Sequence, residues 1–153
     1  FTQQVDSYLL LALARRESGL YALAKSKVGA RGLMQVMPST ARTVLQELGE
    51  RYSGAASLYQ PEINIPVGSA YLAALMARFD GNRVKSLAAY NAGPSRVSRW
   101  TAHDMAFDQW VDSIPFGETR EYVQAVLAYR VIYRLRAGEP ASLLTAEERQ
   151  TAY

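Results

Sequence analysis

The sequence predicts an all-α protein, and three observations support this fold class. Apolar residues recur at helical spacings along most of the chain, whereas no segment alternates apolar and polar residues as a half-buried strand does. No segment of solenoid length is repeated. The 153 residues, 49% of them hydrophobic and 20% charged, have the size and composition of one globular domain. We therefore expect a single compact all-α domain over residues 1–153.

Caps and breakers divide the chain into six predicted helices. Side chains that accept from free backbone N–H groups mark helix starts, and glycine or a Gly–Pro pair marks helix ends. Proline is tolerated in the first turn of a helix, so Pro66 favours a start close to it. The predicted helices are residues 7 to about 18, between the cap Asp6 and Gly19; 39 to 49, capped by Ser39 and ended by Gly49; about 64 or 66 to 79; 83 to 91; 95 to 100; and 119 to 137.

The segments between these helices are predicted to be irregular. Residues 19–37 contain Gly29 and Gly32 without a clean helical period, which indicates a structured loop. Residues 101–114 are expected to be irregular, and residues 114–117 form a turn before the last helix. The polar tail after Pro140 is expected to pack loosely.

The residue types present restrict the chemistry of the protein. Without cysteine, the chain has no thiol nucleophile, disulfide or thiolate metal site. A single histidine, His103, excludes multi-histidine metal centres, and we predict neither a metal nor a cofactor. Carboxylate, hydroxyl and amide chemistry remains. Trp100, Trp110 and His103 receive no functional role.

The charge pattern favours an acidic partner but not nucleic acid. The net charge is +3 and the isoelectric point is about 9.3, yet the basic residues are scattered rather than grouped in a block. No apolar run approaches the roughly 18 residues that a membrane-spanning helix needs. The chain starts at Phe1 with neither an initiator Met nor a signal-like segment, so we expect an excised domain or a processed form.

Glu17 is the first candidate for catalysis. Val5, Leu9 and Leu13 recur every four residues, and Glu17 is the next position on the same helix face. An apolar surrounding and the negative end of the helix dipole both raise the pKa of a carboxylic acid. A protonated carboxylic acid near neutral pH is what a glycosidic leaving group requires. The alternative is a rim carboxylate that pairs with an arginine.

Two further segments carry polar groups beside glycines. The loop from Ser26 to Pro38 holds Gln35, whose amide suits an acetamido or hydroxyl group, although such a loop can equally be a turn with core methionines. Tyr90 and Asn91 precede the Gly93–Pro94 break, where they suit a sugar ring. A buried tyrosine followed by a helix-ending asparagine would look the same.

These segments together resemble the signature motifs of the soluble lytic transglycosylases of glycoside hydrolase family 23. The motifs occur in the family order, and the resemblance extends from about residue 6 to 136. The sequence is similar to the large periplasmic members of this family, whose catalytic domain is the C-terminal part of the chain. The four motifs are Glu17-Ser18, residues 32–35 (Gly-Leu-Met-Gln), residues 89–93 (Ala-Tyr-Asn-Ala-Gly) and residues 114–123 (Ile-Pro-Phe-Gly-Glu-Thr-Arg-Glu-Tyr-Val).

The resemblance implies a lysozyme-like α domain with a glycan-binding cleft. Such enzymes cut the β-1,4 bond between N-acetylmuramic acid and N-acetylglucosamine in peptidoglycan, and the muramoyl C6 hydroxyl closes a 1,6-anhydro ring in place of water. Glu17 matches the single acid/base, because the substrate's acetamido group takes the role of a second carboxylate. A hydrolytic, goose-type-like lysozyme and a non-catalytic glycan-binding domain are the alternatives.

The resemblance also implies substrate-binding residues and context. Ser95 and Pro66 depart from the usual family pattern without touching the proposed chemistry. The tyrosines at 122, 129 and 133 indicate core rather than cleft. We expect a periplasmic monomer whose partners are peptidoglycan strands and bulgecin-type inhibitors. The implied substrate-binding residues are Ser18, Ser26, Gln35, Met37, Tyr90, Asn91 and Glu118.

Overall fold

The computed structural model describes residues 5–100 and 105–153, and the described chain is helical without a β-strand. The predicted all-α class is therefore confirmed. The chain divides into two compact units, Phe1–Ala74 and Leu75–Tyr153, and the expectation of a single domain stays a prediction. The elements are α1 (Ser7–Ser18), α2 (Pro38–Glu47), a 3-10 helix (Ala55–Tyr59), α3 (Pro61–Arg78), α4 (Arg83–Ala92), α5 (Pro94–Trp100), α6 (Phe107–Ser113), α7 (Gly117–Arg136) and α8 (Ala146–Gln150).

Helix α1 forms where the sequence predicts it. The Asp6 carboxylate accepts from the Tyr8 backbone N–H at 2.9 Å, and Gly19 ends the helix in the left-handed conformation at φ 62°. Leu9 and Leu13 are 1% and 0% exposed, so the predicted apolar face is the buried face.

The predicted loop of residues 19–37 is also confirmed. It folds back on itself through isolated bridges that pair Lys25 with Arg31 and Arg31 with Val36. Gly32 is buried with φ 78°, and a Cβ atom there would overlap the Leu58 carbonyl oxygen and the Asn64 side chain. Only glycine fits this close backbone approach.

The predicted starts of α2 and α3 are wrong. Helix α2 begins at Pro38, and Ser39 lies inside its first turn instead of capping it. Helix α3 begins at Pro61, which leaves Pro66 inside the helix. A proline there removes the hydrogen bond to the carbonyl of Glu62, and both residues are exposed, so the gap lies on the solvent side of the helix.

Helices α4, α5 and α7 fall close to their predicted positions. Asn82 caps α4 by accepting from the Lys85 backbone N–H at 3.0 Å, and Gly93 ends it. Helix α4 packs against both α5 and α7, and this packing forms the core of the second unit.

One segment that was predicted to be irregular, residues 101–114, contains an ordered helix. Residues 107–113 form α6, which buries Trp110 and Val111 against the unit core at 0% and 2% exposure. Residues 101–104 of the same predicted segment, with His103, lie outside the described residues.

Within the described chain, no helix has both the length and the apolar content to span a membrane.

The expectation of a loosely packed tail is wrong. Residues 146–150 form α8, whose start is a capping box: Thr145 accepts from the Glu148 N–H, and Glu148 accepts from the Thr145 N–H. Glu148 and Tyr153 are 4% and 1% exposed. The end of the chain is therefore part of the core of the second unit.

Candidate active site

Glu17 lies in the last turn of α1, at the end of the buried face formed by Leu9 and Leu13. Its side chain is half-buried, whereas Arg15 two residues before it is exposed. The helix thus places this carboxylate between the apolar core of the first unit and its surface. The spacing of Leu9 and Leu13 thus predicts its place at the end of the apolar face, and its role as a general acid stays a prediction.

Ser18 joins the end of α1 to the long loop. Its hydroxyl lies 2.8 Å from the Leu33 carbonyl oxygen and 3.1 Å from the Ala14 carbonyl oxygen, so its single proton is shared between these two acceptors, of which Leu33 is the nearer. The first contact spans the two motifs that carry Glu17 and Gln35. Ser18 therefore fixes the backbone next to Glu17 against the loop.

Ser26 closes a tight turn in the same loop. Its hydroxyl oxygen accepts from the Ala30 backbone N–H at 3.0 Å, and its own N–H donates to the Ala30 carbonyl at 2.9 Å. Because a hydroxyl that accepts a hydrogen bond keeps its proton, Ser26 can still donate to a ligand or a carboxylate.

Gln35 uses its amide group inside the loop. Its backbone has φ 47°, a conformation that is rare for residues other than glycine. Its Nε2 donates to the carbonyls of Ala24 and Gly32 at 3.1 and 3.0 Å, which uses both amide protons. The Oε1 atom is then the part of the side chain that can accept from a ligand. Met37 is half-buried at the start of α2.

Asn64 holds this loop in place, and the sequence analysis gave it no such role. The side chain is 0% exposed: its Oδ1 accepts from the Met34 N–H at 2.8 Å, and its Nδ2 donates to the carbonyls of Arg31 and Leu58 at 2.8 and 2.9 Å. Gly68 allows close packing here, since a Cβ atom would lie 2.6 Å from the Met34 sulfur. The place of Asn64 between two isoleucines, Ile63 and Ile65, was the available signal.

In the second unit, α4 and α7 bring three polar residues together. Asn91 lies in the last turn of α4 and is half-buried next to Tyr90. Its Oδ1 accepts from the Thr119 hydroxyl at 2.7 Å, and its Nδ2 donates to the Glu118 carboxylate at 3.4 Å. The structure thus joins Asn91 and Glu118, two predicted site residues, directly, and adds Thr119, which the sequence analysis left without a role.

The second unit contains a buried ion pair, and neither of its residues is a predicted site residue. Arg83 binds Glu148 through two parallel contacts, Nε to Oε1 at 2.7 Å and Nη2 to Oε2 at 2.5 Å, and both residues are buried. Although burial raises the pKa of Glu148, the hydrogen bonds and charge of Arg83 and the Thr145 N–H outweigh it and hold this pKa below 4.5.

Two neighbouring groups respond to the same burial. Burial lowers the pKa of Lys85 and raises the pKa of Tyr153 above 10.0. Among the residues that the structure describes, no three histidine, cysteine, aspartate or glutamate side chains group as metal ligands.

The helical fold of the described residues, with a half-buried glutamate at the end of its first helix, can be compared with known families. The family model described as "Transglycosylase SLT domain" matches residues 2–113, and "Soluble lytic transglycosylase helical domain" matches residues 113–141. The chain belongs to the transglycosylase SLT domain family.

Relatives of the chain are named soluble lytic murein transglycosylase. The soluble lytic murein transglycosylase of Escherichia coli K12 is 43% identical over 150 residues, which cover 95% of this chain and 23% of the relative. That of Salmonella typhimurium LT2 is 44% identical, over 99% of this chain and 24% of the relative. The chain thus spans about a quarter of the length of these relatives.

Solved structures confirm the lysozyme-like fold. The 70 kDa soluble lytic transglycosylase of Escherichia coli superposes with a TM-score of 0.94 at 42% identity, over 98% of this chain and 25% of that one. A structure of the 70-kDa soluble lytic transglycosylase in complex with bulgecin A gives 0.95 at 41% identity, over 98% of this chain and 25% of that one. An inactive mutant of the Pseudomonas aeruginosa enzyme gives 0.90 at 43% identity, over 95% and 24%.

Proposed function

We propose that this chain is a peptidoglycan lytic transglycosylase that cleaves the β-1,4 bond between N-acetylmuramic acid and N-acetylglucosamine and forms 1,6-anhydro-N-acetylmuramoyl ends. The observation that carries the proposal is the match of the transglycosylase family to residues 2–113, within which Glu17 ends the buried face of α1. The names and identities of the relatives support the same reaction.

Glu17 is the single acid and base of the proposed reaction. As an acid it protonates the glycosidic oxygen while the bond to the anomeric carbon breaks, and the substrate's acetamido group stabilises the resulting positive charge. As a carboxylate it then takes the proton of the muramoyl C6 hydroxyl, whose oxygen closes the 1,6-anhydro ring. Because this hydroxyl belongs to the substrate, its effective concentration, about 10⁵ M or more in well-oriented cases, lets it compete with water.

The proposed substrate contacts follow from the atoms that the fold leaves available. In the first unit these are the Ser26 hydroxyl proton, the Gln35 Oε1 and the half-buried Met37, while Ser18 holds the backbone beside Glu17. In the second unit Tyr90 and the Asn91 amide are half-buried, and Glu118 is exposed and bound to Asn91. We assign Glu118 to substrate binding.

The proposed setting of the enzyme follows that of its relatives. We propose a periplasmic, monomeric catalytic domain over residues 1–153 that belongs to glycoside hydrolase family 23 and corresponds to the C-terminal part of a larger enzyme. The relative that was solved with bulgecin A suggests that inhibitors of this type bind here too.

Mass spectrometry of the muropeptides released from purified sacculi tests the reaction. Products that are one water lighter than reducing-end muropeptides support the proposal. Reducing-end products would contradict it and indicate hydrolysis, with Glu118 as the second carboxylate to substitute. No products together with retained sacculus binding would indicate a glycan-binding domain.

The role of Glu17 is tested by Glu17→Gln, which keeps the shape of the side chain but cannot exchange a proton. We expect sacculus binding to remain and anhydro products to fall by at least about 100-fold, the lower range for loss of general acid–base catalysis. Glu47→Gln, at an exposed position of α2, is the matched control and should stay fully active.

A further inference from the structure

The Asn91 side chain is oriented by α7. Asn91 ends α4, and its amide group is bound by two consecutive residues in the first turn of α7, Glu118 and Thr119. Thr119 is 2% exposed, while Asn91 is half-buried and Glu118 is exposed. The hydroxyl therefore binds the amide from the core side and the carboxylate binds it from the solvent side.

The two ends of an amide have opposite hydrogen-bonding character, so its rotation decides what a ligand meets. The Thr119 hydroxyl donates to Oδ1 at 2.7 Å, a normal length for a strong O–H···O bond. This bond keeps the oxygen turned inward and the NH2 group turned toward Glu118. The weaker contact of Nδ2 with Glu118, at 3.4 Å, uses one of its two protons. The other proton remains available to an acceptor on a ligand.

Threonine suits this task because its side chain is stiff. Two heavy atoms on Cβ restrict the χ1 angle, so the hydroxyl of a buried threonine in a helix has fewer accessible positions than that of a serine. Serine would supply the same hydroxyl with more rotational freedom, whereas valine would keep the shape and lose the donor. The three residue types therefore separate the hydrogen bond from the packing.

We propose that Thr119 is a positioning residue: it fixes the Asn91 amide so that its NH2 group is presented to an acceptor oxygen of the bound glycan. The proposal rests on the proposed function for the identity of the ligand. Thr119 itself contacts no substrate and acts only through Asn91. Without it, the amide can turn its oxygen outward, where it would repel that acceptor.

The first test compares Thr119→Val with Thr119→Ser on peptidoglycan. We expect Thr119→Val to lower kcat/KM about tenfold, the worth of roughly one hydrogen bond of 1.4 kcal/mol, chiefly through KM. Thr119→Ser should stay within about twofold of the wild type. Equal losses in both variants would show a packing role and overturn the proposal, as would unchanged kinetics in Thr119→Val.

A double-mutant cycle tests whether Thr119 acts through Asn91. In the Asn91→Ala background there is no amide left to orient, so Thr119→Val should cause no further loss of kcat/KM. Independent, multiplicative losses would contradict the proposal. Thermal melts of all variants identify any loss that comes from unfolding.

A readout that does not need activity keeps this proposal separate from the proposed function. The side-chain NH2 signals of Asn91 in a ¹H–¹⁵N NMR spectrum, assigned by their absence in Asn91→Ala, should shift and broaden in Thr119→Val but not in Thr119→Ser. If the wild type releases no anhydro products, the reaction assignment fails while this test still stands. Unchanged Asn91 signals in Thr119→Val would overturn the positioning role itself.

Discussion

The two units of the chain hold their long-range contacts by different chemistry. In the first unit a neutral side chain, Asn64, makes three hydrogen bonds to backbone groups and is 0% exposed. In the second unit an ion pair, Arg83 with Glu148, joins the start of α4 to the end of the chain across 65 residues. Both devices bind a segment that has little regular structure of its own to a helix.

The difference determines how each unit responds to solution conditions. A neutral amide does not titrate, so the contacts of Asn64 are the same in acid and base. A buried ion pair depends on the charge of both partners, and removal of one partner leaves the other charged and desolvated. The hydrogen bonds of Asn64 should therefore hold the loop that carries Gln35 equally well at any pH. The ion pair of Arg83 and Glu148, which holds the tail that carries α8, should weaken when Glu148 is protonated.

The largest predicted effect is the loss of one charge of the ion pair. Glu148→Gln leaves the Arg83 guanidinium buried without a counter-charge, and we expect a destabilisation of about 3–5 kcal/mol. Urea unfolding followed by tryptophan fluorescence measures this directly, because Trp110 is fully buried and its ring lies 5.5 Å from that of Tyr153 in the tail. A loss below about 1 kcal/mol would mean that the pair contributes little.

A matched double variant separates the charge from the packing. Arg83→Met combined with Glu148→Leu removes both charges and keeps apolar volume, so it should be clearly more stable than Glu148→Gln alone. A double variant as unstable as the single one would show that packing around the pair, rather than the unpaired charge, sets the cost.

Protonation of Glu148 in acid should destabilise the protein as Glu148→Gln does. This is the second largest predicted loss of stability. The folded pKa of Glu148 is lower than its ordinary 4.5, so on acidification the unfolded chain binds the proton first. The stabilisation is complete above about pH 4.5 and is lost as the pH falls through the folded pKa. Urea midpoints between pH 7 and 3 should therefore fall more steeply for the wild type than for the double variant; parallel curves would contradict this.

Local signals explain which helices the sequence could predict. Helix α1 has a side-chain cap, a regular apolar face and a terminal glycine, all within one segment. Helix α6 has no side-chain cap, and its stability comes from the burial of Trp110, which no local pattern reveals. For α8 a local signal was present, the Thr145–Glu148 capping box, but the ion pair that orders the tail has its other half 65 residues away.

The same distinction applies to the candidate site. The position of Glu17 follows from the four-residue spacing along α1, and the structure keeps it at the end of that buried face. Asn91 was singled out by its place before the Gly93–Pro94 break and Glu118 by motif resemblance, and their hydrogen bond spans 27 residues. Asn64 lies in no motif, and Thr119 lies in the fourth motif without a role of its own there, because the contacts of both side chains depend on partners that only the folded chain brings near.

The third prediction converts the neutral contact of the first unit into a titrating one. Asn64→Asp keeps the acceptor for the Met34 N–H but replaces the NH2 group that faces the Arg31 and Leu58 carbonyls with a carboxylate oxygen. Two orphaned acceptors predict a loss of about 2–3 kcal/mol near neutral pH.

The pH dependence of this variant should have the opposite sign to that of the ion pair. A carboxylic acid that faces carbonyls can donate to one of them only when it is protonated, so its folded pKa would be raised and part of the loss would be recovered in acid. Circular dichroism and peptide-level hydrogen exchange over residues 19–37 report on this unit, since both tryptophans lie in the other. A pH-independent loss would argue against direct contact with the two carbonyls.

The smallest predicted losses of stability are those of the helix caps, one in each unit. Asp6 and Thr145 each accept one backbone N–H, from Tyr8 at 2.9 Å and from Glu148 at 3.1 Å, so substitution of either by alanine should cost about 1 kcal/mol. Thr145→Ala keeps its own N–H, which still donates to Glu148 at 2.8 Å, and the acid sensitivity of the tail should therefore persist. If Thr145→Ala lowered the free energy of unfolding as much as Glu148→Gln does, the hydroxyl cap would contribute as much to the order of the tail as the ion pair.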